Sequence, residues 1–265
     1  MPEPSIIPDV SVFSISQATR ATFTELYFQY TCLVFIHVGS KRVLCPVNGE
    51  MIGKADEMMV FPPGAIVTLE NRPVLDNGYR ATGVCFSHPM VKAVFPIKKR
   101  VATPFGIQIL QLCSDQVLKI LDSVQNTLKD EELPESIRQH RLLEPLIWLK
   151  YHGVQLSPYE DENPLSKVRR LIETDLSHPW RSSEVAEYFS ISESTMRRWL
   201  AKSGQGFART LQNTRLEHSL SLLQSTDIPI SDIALDCGFK TPSHFSDSFR
   251  KRFGIKPSEI RNVEN

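Results

Sequence analysis

Ser192-Glu193-Ser194-Thr195-Met196-Arg197-Arg198-Trp199-Leu200-Ala201-Lys202 reads as a short helix with two unlike faces. Ser192 can cap its start by offering a side-chain oxygen to a backbone N–H of the first turn, and Gly204 is a natural stop. At about 100° per residue Met196, Trp199 and Leu200 fall on one side. Ser194, Arg198 and Ala201 point away from it, with Thr195, Arg197 and Lys202 on the flanks. One side packs and the other offers hydrogen-bond donors. Upstream, residues 183–189 form a second short helix with Val185, Ala186 and Phe189 inward, joined through the tight connection Ser190-Ile191. The pair is a helix-turn-helix, with Ala186 as the small residue where the helices touch. An ordinary helical hairpin in a small all-α domain fits a single such match equally well.

The pattern recurs one module later, in residues 231–239 followed by 241–254. Val185 answers to Ile233, Ala186 to Ala234, Ile191 to Phe239, Ser192 to Thr241, Met196 to Phe245 and Leu200 to Phe249, with one residue inserted after the turn. A repeated helix-turn-helix is far more specific than one copy. Between the copies, Phe207 to Leu223 carries Leu211, Leu216, Leu220 and Leu223 without Pro or Gly, which predicts one connecting helix.

On these residues, and on the closing run Phe245 to Arg261, the chain from about Pro164 to Arg261 resembles the AraC/XylS family of bacterial transcription regulators. The resemblance implies a DNA-binding domain of two helix-turn-helix units joined by a long helix. It also implies a promoter as double-stranded DNA partner, and an activator that recruits RNA polymerase.

The 265 residues suffice for two domains, and 41% hydrophobic with 23% charged residues is ordinary for a soluble chain. No basic start with an apolar run marks a signal peptide, and no apolar stretch is long enough to span a bilayer, so a cytoplasmic protein without membrane contact is expected. Five cysteines, Cys32, Cys45, Cys85, Cys113 and Cys237, form no CxxC pair and read as reduced packing residues, a regulatory thiol being the alternative. The net charge of zero divides at the domain boundary. From Pro164 onward 15 Lys plus Arg face 12 Asp plus Glu, so a few placed cations, not a broad field, must hold phosphates.

From Ser11 to about Phe95 the pattern is strand-like: residues 26–37, 41–47, 57–61, 65–69 and 79–86, separated by turn residues such as Gly39, Asn48-Gly49 and Pro62-Pro63-Gly64. Such spacing predicts a β-barrel or sandwich. Residues 58–65 are similar to a stretch of the cupin-like sensing barrel that many AraC-type regulators carry. The barrel then either holds a small-molecule effector or serves as a dimerisation scaffold. Metal-dependent cupins need a His-x-His pair, which is absent, and His37 and His88 stand alone, so no metal, no cofactor and no catalysis are expected. From Phe105 to Tyr151 the period is helical, interrupted at 129–134, and predicts a helical hairpin in which Pro145 kinks the second helix or marks its start. Its apolar stripe packs on the barrel or makes a homodimer. The fold class is therefore α+β: an N-terminal cupin-like barrel with helical hairpin over 1–155, a polar linker over 156–164, and an all-α double helix-turn-helix domain over 165–265.

Ser194, Thr195, Arg197, Arg198 and Lys202 are the expected DNA contacts of the first unit, with one of the two arginines on guanine and the other on phosphate. By resemblance, Ser243, His244, Ser246 and Asp247 match them in the second unit, where Asp247 departs from the basic or neutral residue often found there. A carboxylate facing the groove helps only by accepting from a cytosine amino group or by pairing with Arg250 or Lys251. The first unit is thus expected to read sequence while the second grips the backbone through Arg250, Lys251 and Arg252. A ligand-binding protein with secondary DNA contact and a cupin metalloenzyme fused to a DNA-binding domain are the competing readings.

Overall fold

The structure is a computed structural model and describes residues 9–75, 77–96, 106–111, 114–156, 163–201 and 204–261. It divides into two compact units, Ile7–Tyr159 and Glu160–Asn265. Residues 157–162, the centre of the expected linker, lie outside the described residues.

The N-terminal unit contains strands β1 (Val10–Gln17), β2 (Ala21–Phe28), β3 (Thr31–Val38), β4 (Ser40–Cys45), β5 (Gly49–Lys54), β6 (Glu57–Phe61), β7 (Ala65–Arg72) and β8 (Tyr79–Phe86). Helix α1 (His88–Val94), strand β9 (Gln108–Gln111) and helices α2 (Ser114–Lys129) and α3 (Glu135–Tyr151) follow. The strands form two antiparallel sheets, one ordered β1-β8-β3-β6-β9 and the other β2-β7-β4-β5. The expected barrel is therefore open among the described residues. Each strand pairs only within its own sheet, which leaves β1 and β9, and β2 and β5, as edges.

Three further expectations are corrected. Residues 26–37 are not one strand but parts of β2 and β3, which turn at Gln29-Tyr30 and enter different sheets. Residues 108–111, read as the start of the helical segment, form β9 against β6, because a short apolar run fits either period until a neighbouring edge selects one. Cys32 and Cys85 are not reduced: they face each other in the β3/β8 register, 4.2 Å apart at Cα, and form a disulfide. Cys45 and Cys237 are buried free thiols, while Cys113 lies outside the described residues.

Strand β3 is buried at six consecutive positions because its sheet is covered on both faces. Leu33, Phe35, Met58, Val60, Val84 and Phe86 pack against Met90 and Val91 of α1, Leu121 and Val124 of α2, and Leu142, Leu146 and Leu149 of α3. On the opposite face Ile36 and Met59 crowd Gly53 of the four-stranded sheet, where an added Cβ would come within 2.9 Å and 2.7 Å of them. The helical hairpin is formed, and Pro145 is a buried residue inside α3, not its start.

One polar cluster interrupts the core. Lys41 of β4 donates from Nζ to Asn71 Oδ1 of β7 at 2.5 Å, and Asn71 Nδ2 donates to Gln17 Oε1 of β1 at 2.8 Å. The Tyr79 ring of β8 lies 5.1 Å from the same ammonium. Burial alone lowers the Lys41 pKa to about 7, since no carboxylate compensates it.

The C-terminal unit begins with α4 (Pro164–Thr174), capped by the Asn163 side chain accepting from Leu165 N at 3.0 Å. Helices α5 (Ser182–Tyr188) and α6 (Glu193–Ala201) form the first helix-turn-helix, α7 (Phe207–Ser225) connects, and α8 (Ile230–Asp236) and α9 (Pro242–Phe253) form the second, closed by α10 (Pro257–Arg261). The two turns have the same hydrogen bonds. Ser190 N donates to Glu187 O and Ile191 N to Ala186 O, at 2.8 and 3.0 Å; Gly238 N donates to Leu235 O and Phe239 N to Ala234 O, at 2.8 and 2.9 Å. Both turn residues are left-handed, with φ of 53° at Ser190 and 77° at Gly238. Serine tolerates this at the exposed first turn. At the second, a Cβ on Gly238 would lie 2.3 Å from Leu176 O and 2.7 Å from the Arg215 guanidinium, so packing and not φ alone demands glycine.

Two stability predictions follow from this architecture. The folded chain holds Lys41 at a pKa of about 7 against the ordinary 10.5, so between these pH values the unfolded chain binds a proton that the folded chain excludes. Lys41 thus weakens the fold progressively as pH falls from 10.5 to 7 and by a constant amount below that. Lys41→Met should flatten the rise of stability across that window and add about 3–5 kcal/mol at pH 7 before the loss of the Asn71 bond is deducted; denaturant unfolding at a series of pH values checks it. Gly238→Ala should cost about 2–4 kcal/mol and Ser190→Ala less than about 1 kcal/mol, read as the difference in thermal midpoints.

Candidate nucleic-acid interface

The first recognition helix, α6, is set by its cap. Thr195 N donates to Ser192 Oγ at 3.2 Å, and the hydroxyls of Ser194 and Thr195 stand 2.9 and 3.0 Å from the same oxygen. Ser182 Oγ donates to Glu193 Oε2 at 2.5 Å, tying the start of α5 to the start of α6. Met196 and Leu200 are buried, while Trp199 is half-buried with its ring 6.0 Å from Phe189. This leaves Ser194, Arg197 and Arg198 exposed on the outer side, with Thr195 half-buried beside them. Arg198 donates weakly to Thr195 Oγ1 at 3.4 Å, which bends its guanidinium toward the N-terminal half of the helix. Arg197 has no hydrogen bond or ion pair among the described residues. Lys202 lies outside the described residues.

The second recognition helix, α9, follows the same plan. Thr241 caps it by accepting from His244 N at 3.2 Å, with Pro242 in the first turn. Phe245, Phe249 and Phe253 are buried in a chain of ring contacts, 5.6 Å from Phe245 to Phe249 and 4.7 Å from Phe249 to Phe253. Ser243, His244 and Asp247 are exposed and Ser246 is half-buried, so all four lie at or near the outer side. Asp247 forms no ion pair among the described residues, which leaves the pairing with Arg250 or Lys251 unmade and its acceptor oxygens outward. Arg250 and Lys251 are exposed in the last turn.

Arg252 does not join them, which corrects its expected place in the phosphate grip. Its Nε donates to Asn213 Oδ1 of α7 at 3.1 Å, and its NH2 lies 3.6 Å from Glu217 Oε1 of the same helix, with the side chain 12% exposed. Seven residues after Phe245 and three after Phe249, it falls on the buried face, a phase that the helical period contains.

Other arginines are likewise turned inward. Arg169 of α4 pairs with Glu217. Arg215 donates to Leu176 O at 2.9 Å and His178 O at 2.7 Å, and burial lowers its pKa. Arg261 donates to the carbonyls of Leu222, Leu223, Thr226 and Ile228, closing the C-terminal end of α7. The slight basic excess of this unit is thus carried on its surface by fewer side chains than its composition suggests. Sequence reasoning missed these roles because a carbonyl partner leaves no mark in a charge count.

Outside this unit, His37 Nε2 lies 2.7 Å from Thr82 Oγ1, and His88 packs 5.6 Å from the Tyr30 ring. No three His, Cys, Asp or Glu side chains gather as metal ligands among the described residues. No helix among them is long and apolar enough to cross a membrane.

Residues 185–262 match a family model described as a helix-turn-helix domain. The chain is 31% identical over 94 residues to the HTH-type transcriptional regulator YdeO of Shigella flexneri, covering 36% of this chain and 37% of that protein. It is 34% identical over 96 residues to the HTH-type transcriptional activator CsvR of Escherichia coli, covering 36% of each. The chain therefore spans little more than a third of the length of these curated relatives. In fold it is similar to ToxT of Vibrio cholerae O395, solved bound to (E)-4-(8-methylnaphthalen-1-yl)but-3-enoic acid, with a TM-score of 0.67 at 15% identity over 94% of this chain and 96% of that one. The double helix-turn-helix and these relatives agree: over its C-terminal unit the chain is similar to helix-turn-helix transcription regulators.

Proposed function

We propose that this chain is a sequence-specific DNA-binding transcription regulator that activates promoters by recruiting RNA polymerase. The observation that carries the reading is the split of α6: Met196 and Leu200 are buried while Ser194, Arg197 and Arg198 stand exposed on one side. Arginine there can make two hydrogen bonds to guanine in the major groove. The five exposed positions of the second unit's outer face and last turn, Ser243, His244, Asp247, Arg250 and Lys251, suit a backbone grip with one acceptor for a cytosine amino group. Two such helices on one face meet groove segments about one turn, roughly 34 Å, apart. The names of the curated relatives, a transcriptional regulator and a transcriptional activator, support the same reading.

In this reading residues 165–265 bind DNA, and residues 1–155 sense a small effector and pair two copies. Between the five-stranded sheet and the α2/α3 pair lies a void of ≈ 10 Å³, walled by Leu33, Phe35, Met58, Ile120, Pro145 and Trp148. It is far below the roughly 300–1,000 Å³ of pockets for drug-sized molecules, so in this reading an effector enters only when α2 and α3 move away from the sheet. Exposed Ile137, Ile147 and Tyr151 on α3 supply an apolar stripe for a homodimer. The organic acid bound by ToxT supports an effector for this fold.

Selection of random DNA by the full chain, followed by footprinting, should return a motif with two protected segments one turn apart. Arg198→Ala should cost about 1–3 kcal/mol and relax discrimination at one base pair. A uniform loss across sequences with a shallower salt dependence would place Arg198 on phosphate instead, and no motif from either the full chain or residues 164–265 would refute the regulator reading.

A further inference from the structure

Glu217 is a carboxylate in the middle of a buried chain of polar groups in the C-terminal unit, with Glu173 of α4 as a second acid close to the same Arg169. It sits on α7 with its side chain 10% exposed, pairs with Arg169 of α4, itself 5% exposed, and faces Arg252 of α9. Arg252 also donates to Asn213 of α7, and Asn213 Nδ2 donates to Gln205 Oε1 at 3.2 Å, in the segment that joins the first recognition helix to α7. The second recognition helix is thereby tied to α4, to α7 and to the exit of α6 at once. The repeat register places Ser203 opposite Arg252 in the first unit, so that unit has no charged equivalent.

We infer that Glu217 is a positioning residue for DNA recognition, fixing the angle at which α9 is presented relative to α6; this rests on the regulator reading above. Glu217 is hydrogen-bonded to Arg169 and stands 3.6 Å from the Arg252 guanidinium, and removing the carboxylate would leave both buried charges uncompensated, which is costly. The apolar contacts of Phe245, Phe249 and Phe253 lack direction and permit α9 to roll, whereas the planar Arg252 fork fixes its rotation. The basic residue that the sequence offered to phosphate is therefore spent on aim.

The test is footprinting of the full-length Glu217→Gln protein on the DNA that the wild-type chain selects. The expected result is loss of protection at the segment covered by the second unit, intact protection at the first, and a fall in affinity of about tenfold, within the range of intramolecular coupling. Tighter binding with a steeper salt dependence would overturn the inference, because it would show that Glu217 only sequesters a phosphate-binding Arg252. Parallel weakening of both segments, matched by the core variant Ile172→Val at equal loss of thermal midpoint, would overturn it as well, leaving Glu217 a structural residue. Should the glutamine variant not fold, Arg252→Lys keeps the charge but not the fork. It should lose the second segment alone, and an unchanged footprint would refute the proposal. Two wild-type segments with an unaltered variant defeat this inference only, as does a wild-type motif with a single segment, whereas no motif from either the full chain or residues 164–265 defeats the regulator reading and this inference together.

Discussion

Everything in the C-terminal unit depends on the burial of one side of α7. Leu216, Leu220 and Leu223 are almost wholly shielded, and α4, α8, α9 and α10 all pack on this helix. Its polar positions are closed as carefully as its apolar ones. Thr210 and Thr214 bond back to carbonyls one turn earlier, and Arg261 satisfies carbonyls at the C-terminal end that a helix leaves open. Hydrogen bonds from charged donors are worth about 1.5–3 kcal/mol each, against about 1 kcal/mol for neutral ones. A helix fastened in this way behaves as a rigid spacer, and the separation of α6 from α9 becomes a property of its length.

Much of this unit could be read from the sequence because its signals are local. Helical period, the caps Ser192 and Thr241, the stops and the residue-by-residue repeat all lie within a few turns of chain. Arg252 stands in a basic run, yet its phase relative to Phe245 and Phe249 points it inward; composition and helical period disagree there, and period decides. Arg215 and Arg261 were beyond reach, since their partners are backbone carbonyls 33 to 39 residues away.

The N-terminal unit was less legible for the opposite reason. A sheet covered on both faces loses the alternation by which strands are recognised, and β3 shows none. Which sheet a strand joins, whether the sheets close, and that Cys32 meets Cys85 are decided by register between residues 53 positions apart in sequence. Lys41 escaped notice as one of several cations between turn residues. Its burial follows from strand alternation on β4, where Lys41, Val43 and Cys45 point inward together.

The repeated turns carry a consequence for how such a chain can change over time. Ser190 and Gly238 hold the same backbone shape, yet only the second is pressed against a carbonyl and a guanidinium from elsewhere in the unit. Two modules with a common plan have therefore acquired unequal latitude. The first turn can drift through serine, asparagine or aspartate while keeping its geometry. The second is locked by what lies behind it, so change in the turn is open to one half of a repeated design and closed to the other.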